Sequence, residues 1–328
     1  MANVVLVVGE VDGGQLVPIT GEMLGAARRL AGASGLSVAC ALIGAGVEAQ
    51  AQGTIALGAD QALVVDDAAL AEYNTDTYLQ AMLKIVEAAT PSVVLFGQTN
   101  IGRDLAPRLA FRLNTGVIMD TVELAIEGDR LHGTRSAYGG NARAVNVVKT
   151  DPQIATVRAK SQDAAQPDSS RQGQVTKIDA GIDPSAVRVK VTERKGLPAE
   201  GIRLEDADVV VSGGRGLGGP EAFSGIEELA KALHGAVGAS RAVCDAGWMP
   251  HSMQVGLTGK TVTPDLYIAV AISGASQHMA GCSGSKVIVG INKDKDCNIF
   301  KEARYGVAGN WEEVLPAFTD MVRELVGG

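Results

Sequence analysis

The sequence predicts an α/β protein of two domains, each a mainly parallel sheet flanked by helices. Three observations carry this reading. First, short apolar runs rich in β-branched residues recur, among them Val4–Val8, Ser92–Phe96, Tyr267–Ile272 and Lys286–Ile291. Continuous runs of this length suit strands buried on both faces. Second, these runs alternate with segments of helical periodicity, the order that builds parallel sheets through crossover helices. Third, the chain has 328 residues, about two domains at roughly 100–200 residues each. The division is placed at 1–203 and 204–328.

In the first half, Val4–Val8 opens the sheet. Gly21–Leu30 carries helix-forming Met, Leu, Ala and Arg. Ser37–Ile43 reads as strand, and Ala62–Val65 as a shorter one. Thr75–Ala89 is a helix with Leu79, Met82, Leu83 and Val86 on one face. Pro91 punctuates, and Ser92–Phe96 follows as strand. After Thr115 the helices stop. Val117–Ile126, Leu131–Tyr138, Ala144–Val148 and Ile154–Ala159 read as successive strands that extend the sheet in antiparallel fashion. Ser161–Gln174 is polar enough to be an exposed loop. Val187, Val189 and Val191 alternate with Arg188 and Lys190 as in a half-buried strand. Lys195–Asp206 reads as a linker, about which the second domain is expected to swing.

The second half restarts with the strand Asp208–Ser212, a glycine-rich loop and a helix from about Pro220 to Leu233. Tyr267–Ile272 and Lys286–Ile291 are two further buried strands. Trp311–Val326 is a helix with Val314, Leu315, Phe318, Val322 and Leu325 at helical spacing.

Composition excludes several function classes. Lys plus Arg number 29 and Asp plus Glu 37, a formal net charge of −8. A general electrostatic grip on nucleic acid needs a basic chain, so none is expected. Hydrophobic residues reach 46%, which argues for a folded core. The start, MANVVLVVGE, lacks the features of a secretory or transit peptide. No run of 18 apolar residues occurs, so no membrane insertion is expected. Cys40, Cys244, Cys282 and Cys297 show no C-x-x-C spacing, which argues against an iron–sulfur, zinc or disulfide framework. No metal site is expected. A cytoplasmic or equally reducing location follows.

Several motifs bear on chemistry. Gly214-Arg215-Gly216-Leu217-Gly218-Gly219 satisfies G-x-G-x-x-G between a strand and a helix, so it reads either as a phosphate loop or as a plain tight turn. The acidic residue that a ribose would need about 20 residues on is not evident. Gly256-Leu257-Thr258-Gly259-Lys260-Thr261 imitates the end of a P-loop but has Gln254 where the first glycine belongs. Ser273-Gly274-Ala275-Ser276-Gln277-His278 follows a strand end, where α/β sheets bind ligands. Ser273 or Ser276 could instead cap a helix, and a histidine at a helix start is commonly structural. Gly238-Ala239-Ser240-Arg241 is a small-residue turn ending in a cation. Gln98–Asp104 could bind phosphate at a helix start or simply cap it.

Taken together, VVVSGGRGLGG, GAVGASRAVCDAGWMP, QVGLTGKTVTPDLYIAVAISGASQHMAG and NIFKEARYGVAGN closely resemble the FAD domain of electron transfer flavoprotein α subunits. FGQTNIGRDLAPRLAFRLNTG extends the resemblance into the first domain. It implies an αβ heterodimer with a Rossmann-like C-terminal domain holding FAD, and an N-terminal domain that packs on the β subunit. The β subunit would carry AMP or, in electron-bifurcating versions, a second FAD.

The resemblance also implies residue roles. Arg215 and Ser240 would lie along the FAD phosphates and ribityl chain. Gln254, Val255, Gly256, Thr258 and Gly259 would wrap the cofactor, together with Ser273, Gly274, Ala275, Ser276, Gln277 and His278. Arg241 would stand beside the isoalloxazine ring, Thr258 near N5 and His278 near the C2 carbonyl. Asn292 would face the adenosine half, with Asn310 a further candidate there. A cation or N–H donor near N1 and the C2 carbonyl favours reduced flavin and raises its potential. Two departures stand out. Leu257 replaces a family Gln, and Asn310-Trp311 stands where Asp-Leu is common.

The function so implied is that of an electron carrier without a catalytic residue or substrate of its own. It would run between flavin dehydrogenases, such as acyl-CoA dehydrogenases, and an acceptor such as a quinone reductase. The alternatives are a bifurcating, NADH-using complex, a nicotinamide-dependent dehydrogenase and a nucleotide-sensing module.

Overall fold

The computed structural model describes residues 4–138, 142–183, 185, 187–189, 191–193 and 202–326. The main division into two compact units falls between Arg194 and Lys195. Residues 195–201 of the expected linker lie outside the described residues, as does Lys190.

The first unit opens with β1 (Val4–Gly9), a small hairpin of β2 (Val11–Asp12) and β3 (Gln15–Leu16), and α1 (Pro18–Ser34). There follow β4 (Ser37–Gly44), α2 (Ala51–Ala56), β5 (Gln61–Asp66), α3 (Thr75–Ala89), β6 (Val93–Gly97) and α4 (Asn100–Arg112). The unit closes with β7 (Val117–Glu127), β8 (Arg130–Ala137), β9 (Ala142–Val147), β10 (Gln153–Val157) and β11 (Gln174–Lys177).

Nine strands form one sheet in the order β11-β5-β4-β1-β6-β10-β7-β8-β9. The central strands β4, β1, β6 and β10 are buried on both faces, and successive side chains alternate between the two. Val5 and Val7 of β1 pack with Met23, Leu24 and Ala27 of α1. Leu6 and Val8 pack on the other side with Met82 and Ile85 of α3 and Leu105 and Leu109 of α4. Local signals set the helix limits. Pro18 opens α1, and Gly35 ends it in the left-handed region at φ 70°. Asn74 caps α3 and Thr99 caps α4 through their side-chain oxygens.

Two expectations for this unit need correction, one short strand was not expected, and one of two open readings finds support. The strands after Thr115 are not an antiparallel run. β10 returns between β6 and β7 and pairs parallel to both, while β8 pairs antiparallel to β7. The hydrophobic pattern marks a strand but not its direction or neighbour. β11 was not anticipated, because Gln174–Lys177 is a short polar edge strand beside β5. Val187–Val189 forms no strand, and Val189 and Val191 are exposed. The Gln98–Asp104 segment serves as a cap. Thr99 Oγ1 accepts from Gly102 N at 3.0 Å and donates to Glu10 Oε1 at 2.6 Å.

The second unit runs β12 (Val209–Gly213), α5 (Phe223–Ala232), β13 (Ala236–Ala239), α6 (Arg241–Asp245), β14 (Leu266–Val270), α7 (Ser276–Met279), β15 (Val287–Asn292), α8 (Ile299–Glu302), β16 (Tyr305–Ala308) and α9 (Trp311–Val326). Its five strands are all parallel, in the order β13-β12-β14-β15-β16. One face buries Val211, Ile268 and Val270 against Ile226 and Leu229 of α5 and Leu315 of α9. The other buries Val210, Tyr267 and Ala269 with Met279, Ile288 and Ile299. Val314, Phe318 and Val322 pack partly on the first face, but Leu325 is 76% exposed, one turn past the core. β13 and β16 escaped the sequence reading because Ala236–Ala239 and Tyr305–Ala308 are short and rich in Ala and Gly.

Candidate functional site

In an open parallel sheet, the loops leaving the C-terminal strand ends gather along one edge. A crevice opens where the strand order reverses. In the second unit the reversal lies between β12 and β14. The chain moves outward from β12 to β13, then returns to β14 and continues through β15 to β16. Register aligns Ala239, Gly213, Val270 and Ile291 in one row across that edge. The residues directly after this row are Ser240, the Gly214–Gly219 loop, the Ala271–His278 segment and Asn292. Asn310 follows β16, whose Ala308 is in register with Asn292.

Close backbone contacts hold these loops together. Gly214 N donates to Val270 O at 2.9 Å, and Ser240 N donates to Gly213 O at 3.0 Å. Ala271 takes φ 54°, a left-handed conformation that ends β14 two residues before the expected Ile272. The glycine-rich loop does not pass straight into a long helix. It makes a tight 3₁₀ turn at Arg215–Leu217 and another at Pro220–Ala222 before α5 begins.

The Gln254–Gly259 turn comes from a different connection but is tied to the same edge. Val255 N donates to Ala239 O at 2.9 Å, and Leu257 N to Gln277 O at 2.7 Å. A Cβ on Gly259 would stand 2.3 Å from Gln254 O, so the turn closes only around glycine. Buried Gln254 donates through Nε2 to Thr258 Oγ1 at 3.0 Å, which orients that hydroxyl.

Polar side chains line this edge. Arg215, Arg241, Thr258, Ser273, Ser276 and Gln277 are exposed, and Ser240 is half-buried. Among the described residues no carboxylate pairs with the Arg215 guanidinium, whereas Arg241 Nε reaches Asp245 Oδ2 at 3.2 Å. Neither Ser273 nor Ser276 caps α7. Its N-cap is Ala275, and no side chain bonds to the cap. Ser276 Oγ instead donates to Gln277 Oε1 at 3.4 Å.

His278 differs from these exposed groups. It is 8% exposed, and its Nε2 lies 2.8 Å from the Tyr267 hydroxyl. Nδ1 is buried with no hydrogen-bond partner. Burial drives its pKa down to about 4, with the Val255 backbone opposing, so the ring is neutral at pH 7. A buried polar atom left unpaired costs about 1–3 kcal/mol and calls for a partner. The sequence reading singled out His278 but passed over Tyr267, whose only signal was a phenol inside the aliphatic run YIAVAI.

A flavin fits this set of groups. An unpaired cation at Arg215 and exposed hydroxyls suit a pyrophosphate and a ribityl chain. Asn292 and Asn310 are already engaged. Asn292 Nδ2 donates to Ile272 O at 2.9 Å while its Oδ1 accepts from Asp294 N. Asn310 Nδ2 donates to Glu312 Oε2 at 3.0 Å, and it follows the edge strand, two strand spacings or roughly 10 Å from β14. Among the described residues no cluster of His, Cys, Asp or Glu could hold a metal ion, and no helix is long and apolar enough to cross a membrane.

Comparison with known proteins agrees across both units. Residues 5–183 match the electron transfer flavoprotein domain, and residues 203–283 match the electron transfer flavoprotein FAD-binding domain. The chain is 46% identical over 314 residues to the electron transfer flavoprotein subunit alpha of Thermoanaerobacterium thermosaccharolyticum, covering 95% of each chain. It is 43% identical over 326 residues to that of Bacillus subtilis, covering 99% of each. Protein FixB of Clostridium saccharobutylicum is 38% identical over 316 residues, covering 95% of this chain and 94% of that one. The chain therefore belongs to the electron transfer flavoprotein family, as an α subunit.

Proposed function

We propose that the second unit binds one FAD along the C-terminal edge of its sheet and that the chain, paired with a β subunit, carries electrons between flavin dehydrogenases and a downstream acceptor. When bound, the flavin supplies the redox chemistry. The protein's part is binding and electrostatics. Arg215 and Ser240 face the phosphates and ribityl chain. Thr258, held by Gln254, offers a hydroxyl, and Arg241 adds positive charge. His278 stands on the C2 carbonyl side. The observation that carries this reading is that the Gly214–Gly219 loop, Ser240, the Gln254–Gly259 turn and the Ser273–His278 segment converge on the strand ends where the sheet order reverses.

Acyl-CoA dehydrogenases are the donor class and a quinone reductase the acceptor class in this reading. The first unit is assigned to packing on the β subunit. Its exposed Phe111, 83% accessible, and exposed Val145 and Val147 suit a surface that a partner covers. Four free cysteines fit a reducing compartment such as the cytoplasm.

The test is flavin released and counted from the co-expressed heterodimer. One FAD with one AMP per dimer supports the simple carrier. Two FAD would make it a bifurcating complex, with NADH then tried as donor. No flavin after reconstitution would remove the reading.

A further inference from the structure

Helices α5 and α9 pack on the same face of the second sheet. Gly225 lets them meet closely, since a Cβ there would stand 3.1 Å from Leu315 Cδ2. Beside this contact a groove of about 380 Å³ opens between the two helices. Its apolar lining comes from Leu217, Ala222, Leu315 and Pro316. Around it stand the exposed carboxylates of Glu221, Glu228 and Glu312 and the half-buried indole of Trp311. Among the described residues no cation pairs with Glu221 or Glu312, and Glu228 meets Arg323 at 3.3 Å. The charge extends along both elements. Residues 220–232 hold three carboxylates and one lysine, and Trp311–Val326 holds four carboxylates and one arginine. Together they carry a net charge of −5, more than half of the −8 of the whole chain.

The lining is rich in acceptors, and its hydroxyl protons are already used. Ser224 donates to the Glu221 carbonyl oxygen at 2.9 Å, and Thr319 to that of Leu315 at 2.8 Å. Pro316 has no N–H, so the Glu312 carbonyl oxygen loses its helical donor. A guanidinium answers each of these features. It stays charged, brings five N–H donors in one plane and stacks on an indole face, while its stem covers apolar surface. An ammonium is a compact, strongly hydrated point charge and answers the charge alone. We infer that the groove between α5 and α9 docks a partner protein that presents an arginine amid apolar residues. Leu217 belongs both to the groove and to the Gly214–Gly219 loop, so a partner seated here stands beside the edge to which the FAD is assigned. The inference goes beyond that reading and does not depend on it.

The test follows the fluorescence anisotropy of a dye-labelled helical peptide of Ala, Gln and Leu that carries two arginines one turn apart. The heterodimer is titrated into it at low and at physiological salt. A twin peptide carries lysines instead. The expected result is saturable binding of the arginine peptide that weakens with salt, with the lysine twin bound about tenfold more loosely. Glu221→Gln should weaken the arginine peptide about tenfold, and Trp311→Leu should erase the preference for arginine over lysine. Glu313→Gln changes the net charge equally but lies outside the groove lining, and it should leave binding unchanged. No binding, as when the β subunit covers the groove, would overturn the proposal. So would equal binding of the two peptides, or equal losses in Glu221→Gln and Glu313→Gln. Self-association of the heterodimer that Glu221→Gln abolishes, read by sedimentation, would make the occupant a second copy and overturn it as well. Flavin-free heterodimer should bind the peptide too, so a failure of the FAD reading leaves this test intact.

Discussion

A Cβ on Gly214 would stand 2.1 Å from the carbonyl oxygen of Ala271. The loop after β12 and the loop after β14 thus touch backbone to backbone at the point where the strand order reverses. Only glycine permits this approach, and the Gly214 N–H to Val270 carbonyl bond depends on it. Gly214→Ala is expected to destabilise the second unit by about 3 kcal/mol, the upper end for an overpacked site. FAD retention should fall with it. Thermal unfolding and flavin content of the purified heterodimer check both.

Arg215 is a guanidinium with no carboxylate partner among the described residues, beside a glycine-rich turn. Arg215→Gln should weaken FAD binding about 10- to 100-fold, the loss of a hydrogen bond to a charged group worth about 1.5–3 kcal/mol. The dependence of affinity on salt should flatten at the same time. Titration calorimetry at two ionic strengths measures both.

His278→Ala removes the buried imidazole that the proposed function puts on the C2 carbonyl side. Loss of about 1.5–3 kcal/mol of stabilisation of developing charge corresponds to about 60–130 mV for a one-electron couple. The flavin potential should therefore become more negative by that amount. A redox titration of loaded wild-type and variant heterodimers reads it directly, and an unchanged potential would take His278 out of the site.

Two buried groups give stability opposite dependences on pH. Burial raises the Glu10 carboxyl from 4.5 to about 7, against the hydrogen bond from Thr99. The folded state then holds a proton that the unfolded state releases, so stability falls as pH rises from about 4.5 to 7, by about 3 kcal/mol. His278, lowered from 6.5 to about 4, stays neutral in the fold while the unfolded chain takes up a proton. Its contribution is complete above 6.5 and is lost as pH falls toward 4. Both tryptophans, Trp248 and Trp311, lie in the second unit. Denaturant unfolding of flavin-free protein followed by tryptophan fluorescence should thus show the His278 slope, and His278→Ala should abolish it. Burial raises Glu22 of α1 to about 7 as well, so hydrogen exchange in β1 and β6 should show the combined slope of the two carboxyls, and Glu10→Gln should remove about half of it.

Much of the architecture was legible because burial on both faces writes continuous runs such as Val4–Val8, and because helices such as Thr75–Ala89 carry a full apolar stripe. What escaped was information that does not reside in local pattern. β10 inserts in parallel between β6 and β7, although Gln153–Val157 reads the same whichever way its neighbours run. The Ala- and Gly-rich strands β13 and β16 take their strand character from the sheet they join rather than from propensity. The candidate site was legible as motifs, since glycine-rich turns and a Ser-Gln-His segment after a strand are local features. Its convergence on one edge follows from the strand order. The partner of His278 was hidden because Tyr267 lies eleven positions earlier, on a strand that reads as plain core.

The most direct measurement is the titration of FAD into flavin-free heterodimer, followed by quenching of flavin fluorescence, with wild-type protein beside Arg215→Gln and Gly214→Ala. The expected result is saturable quenching by the wild type, with weaker binding in both variants and no change from Asn310→Ala, whose side chain is engaged with Glu312. Equal FAD binding in wild type and both loop variants would contradict the assignment of the cofactor to this edge.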